Sequence, residues 1–223
     1  MLQAIIFDMD GVIVDTEYVE FTAQREFIER LKQHHQPITL AQQSEVVGKS
    51  LKEIPAVIKK LSGSPLSLDK IREQYYLFWD NLFEQLDYRA IFRQDINCII
   101  EFAKQQQIKM AVASSSSQQH IERILTACGI KDAFDCIVSG EMFARSKPDP
   151  TIYRYTLAQL GVNAENAIAI EDSFYGMQAA KAAGLTVIGY EEKRMVIDQS
   201  LADYMGKDMN EILRIINTLH QQQ

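Results

Sequence analysis

The stretch Ala167 to Gly189, AIAIEDSFYGMQAAKAAGLTVIG, holds one complete unit of a parallel sheet. Ala167 to Ile170 is an apolar run of strand length, and Glu171-Asp172-Ser173 is a polar turn able to cap a helix. Phe174 to Ala183 reads as that helix, Gly184 stops it, and Leu185 to Gly189 is a second apolar run. Toward the N-terminus the pattern repeats. Lys109 to Ala113 reads as a strand, and Ser117 to Cys128 as a helix with Gly129 just past its end. Phe134 to Val138 is a short strand, after which Asp149 caps a helix with Pro150 at its first position, running to Leu160 before Gly161. Three successive helices thus end on glycine, the residue that most easily takes the left-handed conformation closing a helix. Strands alternating with helices specify the α/β class with a parallel sheet.

Leu2 to Phe7 is a further strand-like run, cut off from its sheet-mates by a long helical region. Phe21 to Leu31, Leu51 to Leu61 and Leu68 to Leu86 carry helical patterns, with turns at His35-Gln36-Pro37 and Ser62-Gly63-Ser64-Pro65. The expected organisation is a core of residues 1–15 and 90–223, split by an all-helical insert at 16–89.

The chain has 223 residues, 47% hydrophobic and 24% charged, enough for a buried core and too apolar for a disordered polymer. A formal charge of -7 with no basic tract repels a phosphate backbone, so nucleic acid is not an expected partner. No apolar run approaches the ~18 residues of a membrane span, and an acidic pair precedes any leader-like region. Cys98, Cys128 and Cys136 are odd in number and form no CxxC pair. Buried free thiols in the cytoplasm are therefore expected, and neither a disulfide framework nor a zinc site. His34, His35, His120 and His220 lack ligand spacing and read as surface residues. Gly48-Lys49-Ser50 ends like a phosphate-binding P-loop, yet the position for its first glycine is Gln43, which rules that motif out.

In parallel sheets ligands bind at the carboxyl ends of the strands, and four strand ends here carry chemistry. Asp8 and Asp10, i and i+2 on extended backbone, face the same way, and two close carboxylates favour a cation or a raised pKa. Gly11 permits a sharp exit. Ser114 and Ser115 stand before a helix, where hydroxyls and N–H groups suit an anion. Lys147 lies in the proline-stiffened Ser146-Lys147-Pro148-Asp149-Pro150 loop, and Glu171-Asp172-Ser173 forms a second acidic cluster. Each element alone also reads as a helix cap or a solvated surface. Together they offer hard oxygen ligands for Mg²⁺ and donors for a phosphoryl group.

These residues, in this order, resemble the motifs of the haloacid dehalogenase superfamily: Phe7 to Glu17 its first motif, Ser114 its second, Lys147 its third, and Glu171-Asp172-Ser173 with Gly176 its fourth. The similarity spans essentially the whole chain and is greatest to the β-phosphoglucomutase-like subgroup with a helical cap. It implies a Rossmann-like core, an inserted cap and Mg²⁺-dependent phosphoryl transfer to or from a small phosphorylated metabolite. It further implies Asp8 as nucleophile and Asp10 as general acid and base. Mg²⁺ would lie on the Asp8 carboxylate, the Asp10 carbonyl and Asp172, with Glu171 close by, and Ser114 and Lys147 would hold the phosphoryl oxygens. Gly11, Ser115 and Lys49 complete the expected substrate contacts, and a monomer is expected.

Within the resemblance, Val46 to Ser50 corresponds to the cap segment that meets substrate, with Lys49 or Lys52 available for its far end. Tyr75, Tyr76, Trp79 and Tyr88 either line that pocket or form the cap core. Glu73 to Asn81 has no lysine matching the one that the mutases use, and their Gly-x-Ser-Arg reads Gly48-Lys49-Ser50-Leu51. Many relatives have Pro-Gly where this chain has Phe92-Arg93-Gln94. Hinges are expected near Val14 to Glu17 and Tyr88 to Gln94. A phosphatase is the expected activity, a phosphomutase the alternative, and a binding protein with a vestigial site the reading from outside enzymology.

Overall fold

Six short strands form one sheet: β1 (Ala4–Phe7), β2 (Lys109–Ser114), β3 (Cys136–Ser139), β4 (Ala167–Glu171), β5 (Thr186–Tyr190) and β6 (Tyr204–Gly206). Their order is β3-β2-β1-β4-β5-β6, and every neighbouring pair is parallel. β1 and β4 are buried along their whole length. Helices covering both faces of a parallel sheet require this, and it explains why these strands read as unbroken apolar runs. Ile6, Ala111, Ala113, Met177, Ala180 and Val187 belong to one continuous core beneath those helices.

The computed structural model describes residues 1–49 and 51–222, and the chain divides into two compact units. The sheet unit comprises Met1–Asp15, Tyr88–Glu192 and Asp198–Gln223; the helical unit comprises Thr16–Asp87 and Lys193–Ile197.

In the helical unit, α1 (Thr16–Leu31), α2 (Leu40–Gln43), α3 (Ile54–Ser62) and α4 (Leu68–Gln85) enclose Phe21, Phe27, Ile58, Ile71 and Tyr75. Tyr75 is fully buried and its hydroxyl accepts from Gln24 Nε2 at 3.1 Å, which makes it core. Met195 joins this core, Val196 N–H donates to Ser44 Oγ at 3.0 Å, and the Arg194 guanidinium lies 3.9 Å over the Tyr18 ring. No local pattern ties Lys193–Ile197 to helices so distant in sequence. Tyr88 falls in the sheet unit, where Arg123 Nη2 donates to its hydroxyl at 3.1 Å. It therefore forms no part of a helical-unit core.

In the sheet unit, α5 (Asn97–Gln106), α6 (Gln118–Ala127), α7 (Thr151–Leu160), α8 (Phe174–Ala182) and α9 (Met209–Gln222) accompany the strands. Gly129, Gly161 and Gly184 all have positive φ, 73°, 66° and 88°, at the helix ends where the sequence places them. α7 starts one residue later than expected. Pro150 takes the cap position, and the Asp149 carboxylate accepts from the Thr151 N–H at 3.0 Å. Two elements follow the last strand that the periodicity marked. The edge strand β6 is three residues long, two exposed and one buried, too short to alternate, while α9 buries Met209, Ile212 and Ile216 at helical spacing. Among the described residues no helix is long and apolar enough to cross a membrane.

The three cysteines are free and half-buried, less enclosed than expected. His120 and His220 are also half-buried and so correct the surface reading, which holds for His34 and His35.

Candidate active site

The strand order reverses between β1 and β4, so the connections leaving them diverge and open a crevice at their carboxyl ends. Phe7 pairs with Ile170, and the Asp8 N–H donates to the Ile170 carbonyl at 2.9 Å. The residues that follow are acidic on both strands: Asp8 on one, Glu171 and Asp172 on the other. The loop before α7 delivers Lys147 between them. Its Nζ donates to Asp8 Oδ1 at 2.7 Å, to Glu171 Oε1 at 2.6 Å and to the Ala113 carbonyl at 2.9 Å. Asp8, Glu171 and Asp172 are 8%, 0% and 3% exposed, and each offers an oxygen within 4.8 Å of the others.

Two of the three buried carboxylates, Asp8 and Glu171, thus share one ammonium. Burial holds the Asp8 carboxyl well above the usual carboxylate range, with Lys147 opposing and Glu171 and Asp10 adding to the rise. Burial alone would lower Lys147, but the Asp8 and Glu171 carboxylates outweigh it and hold the ammonium well above its ordinary value. Lys147 keeps its proton, and the three carboxyl groups outnumber that one cation. An oxygen-only donor set of three carboxyl groups fits a hard divalent cation.

The Asp10 carboxylate is not part of this cluster. It faces β2, where its Oδ2 accepts from Ser116 Oγ at 2.8 Å and Ser114 Oγ at 3.4 Å. The strand on which a common aim of Asp8 and Asp10 was expected ends at Phe7, one residue before Asp8, and the chain then turns. Gly11 has φ 78°, and its N–H donates to the Val14 carbonyl at 2.8 Å, which leaves that donor committed within the turn. Ser114 Oγ also accepts from the Ser116 N–H at 3.1 Å. Ser115 is exposed, and its hydroxyl shares a hydrogen bond of 3.1 Å with Ser146, next to Lys147.

Glu171 is held on every side. Besides Lys147, the Tyr153 hydroxyl donates to Oε1 at 2.5 Å and Ser173 Oγ to Oε2 at 3.4 Å. A Cβ on Gly176 would stand 2.1 Å from both carboxylate oxygens, so only glycine fits at this point of α8. Ser173 caps the same helix by accepting from the Gly176 N–H.

Lys49 is exposed in the helical unit, where it lines a cavity of about 160 Å³ with Glu17, Glu20, Gln24 and Trp79. Lys52 is exposed as well, and Ser50 lies outside the described residues. Three site residues escaped the sequence reading: Ser116, Tyr153 and Arg93. The run Ser114 to Ser117 contained a signal for the first. Tyr153 lies inside α7 and away in sequence from any strand end, and Arg93 meets partners about 80 positions away that no local pattern connects.

Residues 5–190 match the family described as haloacid dehalogenase-like hydrolase. A phosphorylated carbohydrates phosphatase of Thermotoga maritima is 31% identical over 185 residues, 82% of each chain. The beta-phosphoglucomutase of Bacillus subtilis is 28% identical over 212 residues, 93% of this chain and 92% of its own. A crystal structure of CbbY from Rhodobacter sphaeroides in complex with xylulose-(1,5)bisphosphate superposes with a TM-score of 0.67 at 29% identity, covering 95% of this chain and 96% of that one. With the reversed strand order and the buried acidic cluster, this similarity along most of its length makes the chain a member of the haloacid dehalogenase-like hydrolases.

Proposed function

We propose that this protein is a Mg²⁺-dependent phosphatase acting on monoesters of small phosphorylated metabolites, sugar phosphates foremost, through an aspartyl-phosphate at Asp8. One observation carries the reading: two aspartates two residues apart have separate environments. Asp8 sits among buried charges with Lys147, and Asp10 is held apart by serine hydroxyls. Such a division gives one carboxylate the role of nucleophile and leaves the other free to move protons.

An Asp8 oxygen attacks phosphorus, the bond to the ester oxygen breaks, and Asp10 gives that oxygen its proton. Asp10 then takes a proton from a water that attacks the acyl phosphate, which frees phosphate and restores Asp8. Asp8, Asp172 and the Asp10 carbonyl would hold Mg²⁺, with Glu171 beside them, and the ion would keep Asp8 ionised and draw charge from the phosphoryl oxygens. Lys147 and Ser114 steady those oxygens as charge shifts, with Gly11 and Ser115 bordering the same pocket. The residues at 16–89 act as a cap in this scheme, and Lys49 meets the far end of the substrate. The similarity to a phosphorylated carbohydrates phosphatase supports the substrate class. The similarity to a beta-phosphoglucomutase supports a phosphomutase as the second reading.

A phosphate-ester panel tests both readings. Inorganic phosphate is released in the presence of Mg²⁺ and not after chelation, and Asp8→Asn abolishes release. An unchanged rate in Asp8→Asn overturns the proposal. Faster conversion of β-glucose 1-phosphate to glucose 6-phosphate than release of phosphate selects the mutase.

A further inference from the structure

The turn after β1 is bonded largely to itself. The Met9 carbonyl accepts from the Val12, Ile13 and Val14 N–H groups at 3.3, 2.8 and 3.2 Å, and the Gly11 N–H donates back to Val14. The Gly11 carbonyl, on the residue directly after Asp10, is bound from outside. Arg93 Nη2 donates to it at 3.1 Å and to Asp15 Oδ1 at 2.7 Å. The Arg93 N–H donates to the Ile13 carbonyl at 3.0 Å. One residue therefore holds the turn at Gly11, Ile13 and Asp15. Arg93 is itself anchored, since Nη1 donates to the Tyr190 hydroxyl at 2.9 Å and the guanidinium lies 4.0 Å over the Tyr190 ring at the end of β5. Its side chain is 15% exposed and that of Asp15 22%, so water screens this pair weakly.

We propose that Arg93 is a positioning residue for Asp10. Its planar guanidinium fixes the Gly11–Val12 peptide, one residue beyond Asp10, against β5 and so keeps the acid–base carboxylate aimed at the leaving oxygen. The inference rests on the assignment of Asp10 as general acid given above. A lysine has a single ammonium and cannot meet the Gly11 carbonyl, the Asp15 carboxylate and the Tyr190 hydroxyl in this forked arrangement.

A loss of aim at a general acid reads out through the leaving group. For a phosphatase with a covalent intermediate, kcat/KM reports formation of the aspartyl-phosphate, the step in which Asp10 protonates the departing oxygen. An alkoxide needs that proton, and p-nitrophenolate leaves without it. Arg93→Met is expected to lower kcat/KM by about 30- to 100-fold on an alkyl or sugar phosphate and by less than about 5-fold on p-nitrophenyl phosphate, with Arg93→Lys between. Tyr190→Phe, which removes one anchor only, should show the same split at about 3- to 10-fold. Equal losses on both substrates, or no loss, overturn the proposal. Asp10→Asn run in parallel separates the causes: a split in Asp10→Asn that is missing from the Arg93 variants refutes the role of Arg93 alone. No split in Asp10→Asn refutes the acid assignment on which it rests. Circular dichroism checks folding, and if Arg93→Met does not fold, Arg93→Lys and Tyr190→Phe decide by the same criterion.

Discussion

Gly176 occupies the first turn of α8, where replacing glycine by alanine in a helix ordinarily stabilises by ~1 kcal/mol. The surroundings reverse that sign. An alanine methyl would stand 2.1 Å from Oε1 and Oε2 of Glu171 and 2.2 Å from its Cδ, so the carboxylate must retreat by about 1.3 Å or more to reach ordinary contact. A solvent-exposed glutamate would swing aside at little cost. Glu171 is 0% exposed, and retreat pulls Oε1 from Lys147 at 2.6 Å and Tyr153 at 2.5 Å. Hydrogen bonds to a charged group contribute ~1.5–3 kcal/mol each, and overpacking costs ~1–3 kcal/mol. Even partial loss outweighs the helix gain, and Gly176→Ala should destabilise by roughly 2–4 kcal/mol. At ~2–4 °C per kcal/mol for a chain of this size, the melting temperature falls by roughly 5–15 °C. Scanning calorimetry and phosphate release measure the two consequences, since Lys147 moves with its partner. Adding Glu171→Asp, which is shorter by one methylene, should recover part of the lost stability through a positive coupling in the double-mutant cycle. An unchanged or raised melting temperature in Gly176→Ala would refute the claim that Glu171 is pinned.

Tyr153→Phe removes one donor from Glu171 Oε1 while Lys147 remains on the same oxygen, so a loss of about 1.5 kcal/mol is expected in thermal denaturation. The Mg²⁺ concentration for half-maximal phosphatase activity should rise by ~10-fold or more as Glu171 loosens, and an unchanged value would place the tyrosine outside the cation site. His120 has a pKa held below 6.5, first by burial and then by Arg123, against an opposing pull from Asp10. The unfolded chain therefore binds this proton more readily, and stability should fall as pH drops below 6.5, toward the depressed folded value. Melting temperatures between pH 5 and 8 should lose part of this slope in His120→Gln; an identical slope in both proteins rules the histidine out as its source.

The sheet unit was legible because each βαβ step carries its own local signals. Apolar runs mark β2, β4 and β5, Ser117 and Ser173 mark helix starts, and three glycines mark helix ends. Where those signals are short, reading failed: β6 spans three residues at a sheet edge, two exposed and one buried. The acidic pairs, Ser114 and Lys147 were legible for a related reason, each being a polar residue placed directly beyond an apolar strand or in a stiff loop. Tyr153 was not, because a phenol on a helix face looks the same whether it packs or donates. The separate hydrogen-bond partners of Asp8 and Asp10 were hidden too, since Lys147 and Ser116 lie more than a hundred positions away in the chain.

By itself the sequence determined the class of the fold, the helical interruption after the first strand and the residue types that gather at the strand ends. These depend on periodicity, capping and chain direction, which act over a few residues. Tertiary structure decided which groups touch. It set Lys147 between Asp8 and Glu171, enclosed Glu171 with Tyr153 and Gly176, and brought Arg93 onto the turn at Gly11 and Asp15. Such contacts join segments tens of residues apart, and their energies exist only where burial removes the water that would otherwise screen them.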